Sequence, residues 1–435
     1  MSKPLFIISS PFDTYSGYGA RSRDLIKAIV ELDKYDVKLL SQRWGSTPFG
    51  FIDGNKEEWG FLEKLTLPQG QIPRQPEIWM QITVPNEFQR VGKFNIGVTA
   101  GVETTVCPPE LIEGINRMDL TLTSSKHAKD VILSSKFEGI HQQTQQKVKV
   151  ETNKPVEILF EGANIDIYRA EETKKLSKLN NISESFCYLG VGHWMQGDLG
   201  EDRKNIGMLV KSFLETFKNK PTKPALILKT TLVGSSAMDR EEVLKRINSI
   251  KKTVKSKDLP NIYVLNGELT DEEMNQLYNH PKVKAMVSLT KGEGFGRPLL
   301  EFSLVKKPII VSGWSGHLDF LDKELSILLG GQLTPVHPSA VNQFLIKESQ
   351  WFSPDPMVVG QLLRDVYKNY KNYTVNAKKL GTKNKNEFSR DKMREKLDSI
   401  LTQYLPEFPK QVQLKLPQLK KIELPKLKKI ETDAK

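Results

Sequence analysis

Two successive blocks of short apolar runs alternating with amphipathic stretches predict an α/β chain with two domains, each a parallel sheet covered by helices on both faces. Length supports the division, because 435 residues exceed a single ordinary core and suggest two units of roughly 150–200 residues. A third observation is a glycine-rich turn set between an apolar run and a helical pattern: Lys291-Gly292-Glu293-Gly294-Phe295-Gly296-Arg297-Pro298-Leu299-Leu300-Glu301.

The first block opens with the run Leu5–Ser10, a predicted strand, and the tight turn Ser16-Gly17-Tyr18-Gly19. Ala20–Leu32 then sets Leu25, Ile26, Ile29, Val30 and Leu32 close to one helical face. Val37–Leu40, Glu77–Ile82, Phe94–Thr99, Leu120–Thr123 and Val156–Phe160 follow as strands. Ser125 caps a helix running through Leu133, which leaves Lys126, His127 and Lys129 exposed on its first turns.

The second block repeats the plan. Its predicted strands are Ser185–Val191, Ala225–Thr230, Asn261–Leu265, Lys284–Leu289 and Pro308–Val311. Helices Asn205–Phe217, Asp239–Ile250 and Arg297–Val305 intervene, and Thr270 with Glu273 forms a capping box. Val358–Tyr370 and Asp391–Leu401 close the pattern. The expected division is a first domain over 1–175, a second over 176–385, a closing helix and linker over 386–409, and a tail over 410–435. That tail repeats Leu-Pro-x-Leu-Lys-Lys-Ile-Glu at eight-residue spacing, and its prolines exclude a regular helix. It reads either as a solubilising segment or as an extended strip for a partner.

No apolar run approaches the roughly 20 residues that span a bilayer. Cys107 and Cys187 lie far apart in different predicted domains, which indicates neither a disulfide scaffold nor a zinc site and fits a reducing, cytoplasmic location. The formal charge is +12, of which the tail's eight lysines and three acids account for +5. Such a field attracts anions and permits a nucleic-acid or anionic-membrane partner without requiring one.

The Lys291–Glu301 turn presents backbone N–H groups and a helix start to an anion, and Pro298 falls where its missing N–H costs nothing. Glu293 alone reads equally well as a helix-dipole acid. A second carboxylate eight residues on and the downstream Ser312-Gly313-Trp314-Ser315-Gly316-His317 turn favour a ligand site instead. An ionised carboxylate accepts two hydroxyl donors and so reads a diol.

Residues 267–320 resemble the donor-binding region of the retaining GT-B glycosyltransferases often called family 4. The resemblance rests on Leu269-Thr270-Asp271-Glu272-Glu273, Leu277-Tyr278, the Glu293–Glu301 segment, Pro308-Ile309-Ile310-Val311 and Ser315-Gly316. It is specific over those 54 residues and looser over most of residues 1–400. It implies GT-B architecture: two Rossmann-like domains facing across a crevice, with a nucleoside-diphosphate sugar as donor on the second and the acceptor mainly against the first. It also implies roles. Glu293 contacts donor-sugar hydroxyls, the backbone around Gly294, Phe295 and Gly296 lies by the sugar and phosphates, and Glu301 accepts from the ribose. Arg203 and Lys204 match the family's basic segment and neutralise the diphosphate, while Gly17 and Gly19 match its first-domain glycine loop. Either Arg21 or Arg23 faces the crevice. Glu161-Gly162-Ala163-Asn164-Ile165-Asp166 matches the stretch leading into the linker, with Gly162 supplying a turn. The family needs no Asp-x-Asp metal motif; none is present, and no cofactor or metal ligand is assigned.

Two departures bear on the site. His193 stands where many relatives carry an arginine after the strand-ending glycine. The first-domain region Asn95–Thr104 has no histidine, leaving Glu103 as the acid for acceptor or sugar positioning and His127 as a second candidate. The implied reaction moves a hexosyl or pentosyl group to a hydroxyl with retention, by front-face attack within an ion pair. Lys126, Lys129, Lys136, Lys147 and Lys149 leave two acceptor classes open: a cell-surface glycan or lipid, and a hydroxylated DNA base. The alternative is a non-catalytic GT-B-like protein that binds nucleic acid or an assembly partner. Oligomeric state is not legible.

Overall fold

The computed structural model describes residues 3–68, 71–140, 147–171, 176–232 and 236–408; the repeat anticipated over 410–435 lies outside the described residues. The first domain's strands are β1 (Leu5–Ser10), β2 (Asp36–Ser41), β3 (Ile78–Ile82), β4 (Phe94–Val98), β5 (Leu120–Thr123), the pair β6 (Lys136–Ile140) and β7 (Lys147–Glu151), and β8 (Val156–Ile158). Six of them form one parallel sheet in the order β2-β1-β3-β4-β5-β8, with registers such as Phe6 opposite Ile78 and Met80 opposite Ile96. Every residue of β1 and β3 is buried, as a central strand covered on both faces requires. β6 and β7 stand apart as an antiparallel hairpin.

The second domain carries β9 (Cys187–Val191), β10 (Ala225–Lys229), β11 (Ile262–Leu265), β12 (Val283–Ser288), β13 (Ile309–Ser312) and β14 (Ile327–Leu329). Their order is β11-β10-β9-β12-β13-β14, again all parallel. A hairpin of β15 (Gly331–Pro335) and β16 (Gln350–Pro354) follows. The chain leaves each sheet's starting strand first to one side and then to the other. The reversal falls between β1 and β3 in one sheet and between β9 and β12 in the other. Ligands of open α/β sheets bind beyond the carboxyl ends of the strands at such reversals.

Most anticipated elements form near their expected bounds. Ser125 accepts from the Ala128 N–H as the cap of helix Lys126–Ser134, and Thr270 and Glu273 complete their capping box. The expected helix Val358–Tyr370 runs Pro356–Lys368, and a new helix, Tyr370–Glu387, starts beyond Asn369. Helix Arg390–Tyr404 returns to pack on helix Gly17–Glu31, where Arg394 meets Glu31, Lys34 meets Asp398 at 2.6 Å and Tyr404 donates to Glu157 at 2.7 Å. Gly162 serves close approach rather than a turn, because a Cβ there would stand 2.7 Å from the Arg390 Cα. Residues through Leu405 form a single unit, since the two sheets' loops touch across the crevice. Both cysteines are buried and unbonded, and among the described residues no helix is long and apolar enough to cross a membrane.

Candidate functional site

The carboxyl ends of β9 and β12 bring together segments almost ninety residues apart. The Arg203 carbonyl accepts from the Lys291 N–H at 2.7 Å, and the Arg203 Nη1 donates to the Gly292 carbonyl at 2.7 Å. Lys204 Nζ thereby reaches both oxygens of Glu293, at 2.6 and 2.7 Å. Arg203 stands 3.6 Å from Glu293 on one side and 3.6 Å from Glu103, in the first domain, on the other. Sequence-predicted residues from both domains therefore meet in one constellation of alternating charge.

Burial opposes ionisation of Glu293, but the Lys204 and Arg203 cations overcome it and hold the carboxyl down at about 2. Glu293 is consequently a permanent anion at neutral pH: it accepts hydrogen bonds and is no proton donor. Burial pushes Lys204 the other way, lowering its pKa against the pull of Glu293. The Glu293 N–H donates to Ser315 Oγ at 2.9 Å and its carbonyl accepts from the Gly316 N–H at 3.0 Å. The downstream Ser-Gly turn thus fixes the backbone that aims the carboxylate.

The three glycines of the turn answer two different demands. Gly296 has φ of +96° as the residue before helix Arg297–Leu304. A Cβ on Gly292 would stand 1.9 Å from the Glu103 carbonyl oxygen, and one on Gly294 2.2 Å from that of Ala100. These two glycines allow the loops of the two domains to touch, which the anion-cradle reading did not anticipate. Ser124 Oγ reinforces the contact, bonding the carbonyls of Ala100 (2.5 Å) and Gly294 (3.1 Å). Phe295 turns inward and packs on Phe320 with ring centroids 4.9 Å apart, so its side chain anchors the turn in the second domain's core.

Glu301 is buried one helical turn on, where it accepts from Arg297 Nε at 2.8 Å. Arg297 Nη1 continues across the crevice to Asp24 at 2.5 Å, and Asp24 pairs in turn with Arg390 at 2.7 Å. Burial raises the Glu301 pKa to about 7 despite Arg297, with Asp271 and Asp24 adding to the rise. Asp24 goes the other way: burial opposes its charge, yet Arg297 and Arg390 keep it below its ordinary value. The network spans both domains, and Asp24 escaped the sequence reading. Its one signal was an acid on the buried face of a helix, beside Leu25 and Ile26.

His193 follows Gly192 at the end of β9 and holds Thr231 Oγ1 through Nδ1 at 2.8 Å; partial enclosure and then the nearby Lys204 lower its pKa. Arg21 and Arg23 do not face the crevice. Arg21 donates to the carbonyls of Leu159 and Phe160, and Arg23 to those of Phe12 and Thr14, so both pin loops of their own domain. His127 is not the exposed residue anticipated. Its ring meets Trp314 edge-on at 4.6 Å, and desolvation, then His317, takes its pKa down to about 4. It is a neutral imidazole in the wall between the domains.

In the first domain Ser16 caps helix Gly17–Glu31 by accepting from the Gly19 N–H. Gly19 is demanded by packing, since its Cβ would lie 2.4 Å from the Thr14 carbonyl, while a Cβ on Gly17 would meet nothing within 4 Å. Tyr18 between them bonds Thr99 Oγ1 at 3.1 Å and accepts from the Ala100 N–H at 3.0 Å.

At the level of sequence, no family model and no curated protein matches the chain. Solved structures do. HepE of Anabaena in complex with UDP-glucose superposes with a TM-score of 0.61 at 10% identity, over 92% of this chain and 100% of that one. Sucrose-phosphate synthase of Thermosynechococcus elongatus gives 0.57 at 12% identity, over 92% and 98%. An E. coli trehalose-6-phosphate protein bound with UDP-2-fluoro glucose gives 0.57 at 11% identity, over 93% and 100%. The chain has the GT-B fold. Within a GT-B chain the crevice just described is the cleft between the two Rossmann-like domains, and the Glu293 constellation lies where their loops meet.

Proposed function

We propose that this GT-B chain transfers a sugar from a nucleoside-diphosphate sugar to a hydroxyl-bearing acceptor, with retention at the anomeric carbon. The observation that carries the reading is the pair of half-buried Lys204 and buried Glu293, flanked by Arg203 and Glu103, where the cleft loops of both domains meet. Glu293, held ionised, accepts from hydroxyls of the donor sugar. Lys204 and Arg203 exchange part of their pairing for the diphosphate and stabilise the charge that grows on it as the glycosidic bond breaks. Glu301 accepts from the ribose, drawing on the share of its lone pairs that Arg297 leaves open. Gly17 lets the diphosphate approach the start of helix Gly17–Glu31. Glu103 and the neutral His127 position the sugar or the acceptor from the first domain's side, and His193 borders the phosphates. Closure of the loops over the donor orients the reactants and excludes water.

Calorimetric titration with a panel of UDP- and GDP-sugars tests the reading. The chain binds at least one member, and Lys204→Ala weakens that binding about tenfold or more, on the scale of a charge-assisted contact to phosphate. Glu293→Gln, which keeps the shape and removes the charge, should also weaken donor binding, and a wild-type melting temperature in both variants checks that the loss is local. No binding across the whole donor panel overturns the proposal.

A further inference from the structure

The first domain carries an aromatic surface that the donor site does not use. Trp44, in the loop after β2, stacks on Tyr18 with centroids 4.0 Å apart and planes 23° from parallel. Phe49, in the same loop, bridges to Thr14, and the next residue, Tyr15, meets Phe51 edge-on at 5.2 Å. Tyr15 and Phe49 are 38% and 45% exposed, and among the described residues they are the exposed large aromatics. Trp44 itself is half-buried, with one face against Tyr18.

The patch is linked to the cleft through Tyr18. The Tyr18 hydroxyl that holds Thr99 and Ala100 leads directly to the Ala100 carbonyl, against which Gly294 closes. A short chain of contacts, Trp44 to Tyr18 to Ala100 to Gly294, thus ties the Trp44 loop to the loop that carries Glu293. Charge then chooses between the acceptor classes. The loop Gln42-Arg43-Trp44-Gly45-Ser46-Thr47-Pro48-Phe49-Gly50 contains one charged residue, Arg43. Beyond it, Lys56 is engaged with Asp53 and Glu63. A nucleic-acid strand laid on aromatics needs a cationic groove for its phosphates, and this loop supplies none. Four of the five lysines further along the domain do not supply one either, since Lys126, Lys129, Lys136 and Lys149 pair with Asp130, Glu157, Glu151 and Glu151, and the fifth, the exposed Lys147, is a single charge rather than a groove. An aromatic face with few charges and nearby polar groups such as Gln42 suits the C–H face of a neutral sugar ring.

We infer that Trp44, backed by Tyr18 and flanked by Tyr15 and Phe49, is the platform on which the acceptor lies, and that the acceptor is the end of an uncharged glycan. This rests on the cleft being a glycosyl-transfer site. Saturation-transfer NMR on the full chain with UDP present, using an uncharged oligosaccharide panel, a 20-nucleotide DNA in single- and double-stranded forms and phosphatidylserine-containing vesicles, decides it. The wild type engages a panel oligosaccharide; Trp44→Ala loses that signal by about tenfold, Trp44→Phe regains part of it, and calorimetric UDP affinity is the same in all three. If UDP binds the wild type but no oligosaccharide engages it, or if Trp44→Ala binds the sugar as the wild type does, the inference fails while the donor reading stands. Trp44-dependent binding of DNA or vesicles also overturns it. Failure of the wild type to bind UDP removes the donor reading itself.

Discussion

The two domains share a plan and differ in how their halves of the cleft are made. In the second, the site comes from a few contiguous stretches at the ends of β9 and β12: His193, Arg203-Lys204 and the eleven residues Lys291–Glu301. In the first, it comes from single residues scattered over the ends of β1, β2, β4 and β5: Gly17, Trp44, Ala100 with Glu103, and Ser124 with His127. A diphosphate with its sugar and ribose is a fixed, highly charged shape, and it calls for backbone amides and charges at set spacing. A wall that closes over it needs only complementary shape, and loops can meet that need in many ways. On the proposed reading the compact half is the electrostatic one and the dispersed half supplies contact and specificity.

The largest effect separating the halves is expected where they touch. Gly294→Ala places a Cβ 2.2 Å from the Ala100 carbonyl oxygen, a clash between two backbones that no rotamer relieves. Transfer activity should fall by about 100-fold or more, because roughly 1 Å of misplacement costs that much. UDP binding, which the proposal assigns mainly to the second domain, should weaken far less than turnover, and small-angle scattering should show a larger radius of gyration than the wild type. Wild-type turnover in Gly294→Ala would mean that the closed contact is not the working arrangement.

A smaller effect distinguishes the two acids that share Arg297, Asp24 from the first domain and Glu301 from the second. Glu301 is raised from 4.5 to about 7 by burial. The folded chain therefore holds that proton more tightly than the unfolded one, and stability falls as pH rises from about 4.5 to about 7. A shift of this size corresponds to something on the order of 3 kcal/mol. Asp24 is shifted downward, so its contribution is present above its ordinary pKa and is lost only in more acid solution. In Glu301→Gln the fall between pH 5 and pH 7.5 should shrink, visible as a melting temperature that declines less than the wild type's across that window. Equal slopes would show that Arg297 keeps Glu301 ionised throughout.

What could be read beforehand divides along the same line. Strands with both faces covered show as unbroken apolar runs, and Leu5–Ser10 and Lys284–Leu289 were legible for that reason. The second half-site was legible because its chemistry sits at helix starts within short spans. Pairings between distant segments were not: nothing local says that Arg203 lies against Gly292, or that Asp24 holds Arg297 and Arg390. Arg21 and Arg23 looked like cleft cations because a helix pattern shows which residues share a face but not which carbonyls lie opposite. His127 was misjudged similarly. Its enclosure depends on Trp314, almost two hundred residues on. Helix Tyr370–Glu387 went unread because its sequence is strongly polar and carries little hydrophobic periodicity, whereas β7 did carry a signal, the strict alternation Lys147-Val148-Lys149-Val150-Glu151, that could have found it.

The smallest effect tests the dispersed half within a single turn. Gly19 and Gly17 stand two residues apart and carry the same resemblance, but only Gly19 is crowded by its own domain. Gly19→Ala forces a Cβ toward the Thr14 carbonyl and hydroxyl and should destabilise the chain by about 1–3 kcal/mol, as overpacking does. Gly17→Ala meets open space in a helical position, where alanine is preferred to glycine by about 0.5–1 kcal/mol, so the fold should hold or gain slightly. If the Gly17 backbone is where the donor phosphates approach the first domain, Gly17→Ala should still weaken UDP-sugar binding several-fold. The two variants should then separate cleanly, one losing melting temperature and the other losing affinity. Unchanged UDP-sugar affinity in Gly17→Ala would place the phosphates wholly against Arg203 and Lys204, leaving the first domain to the acceptor alone.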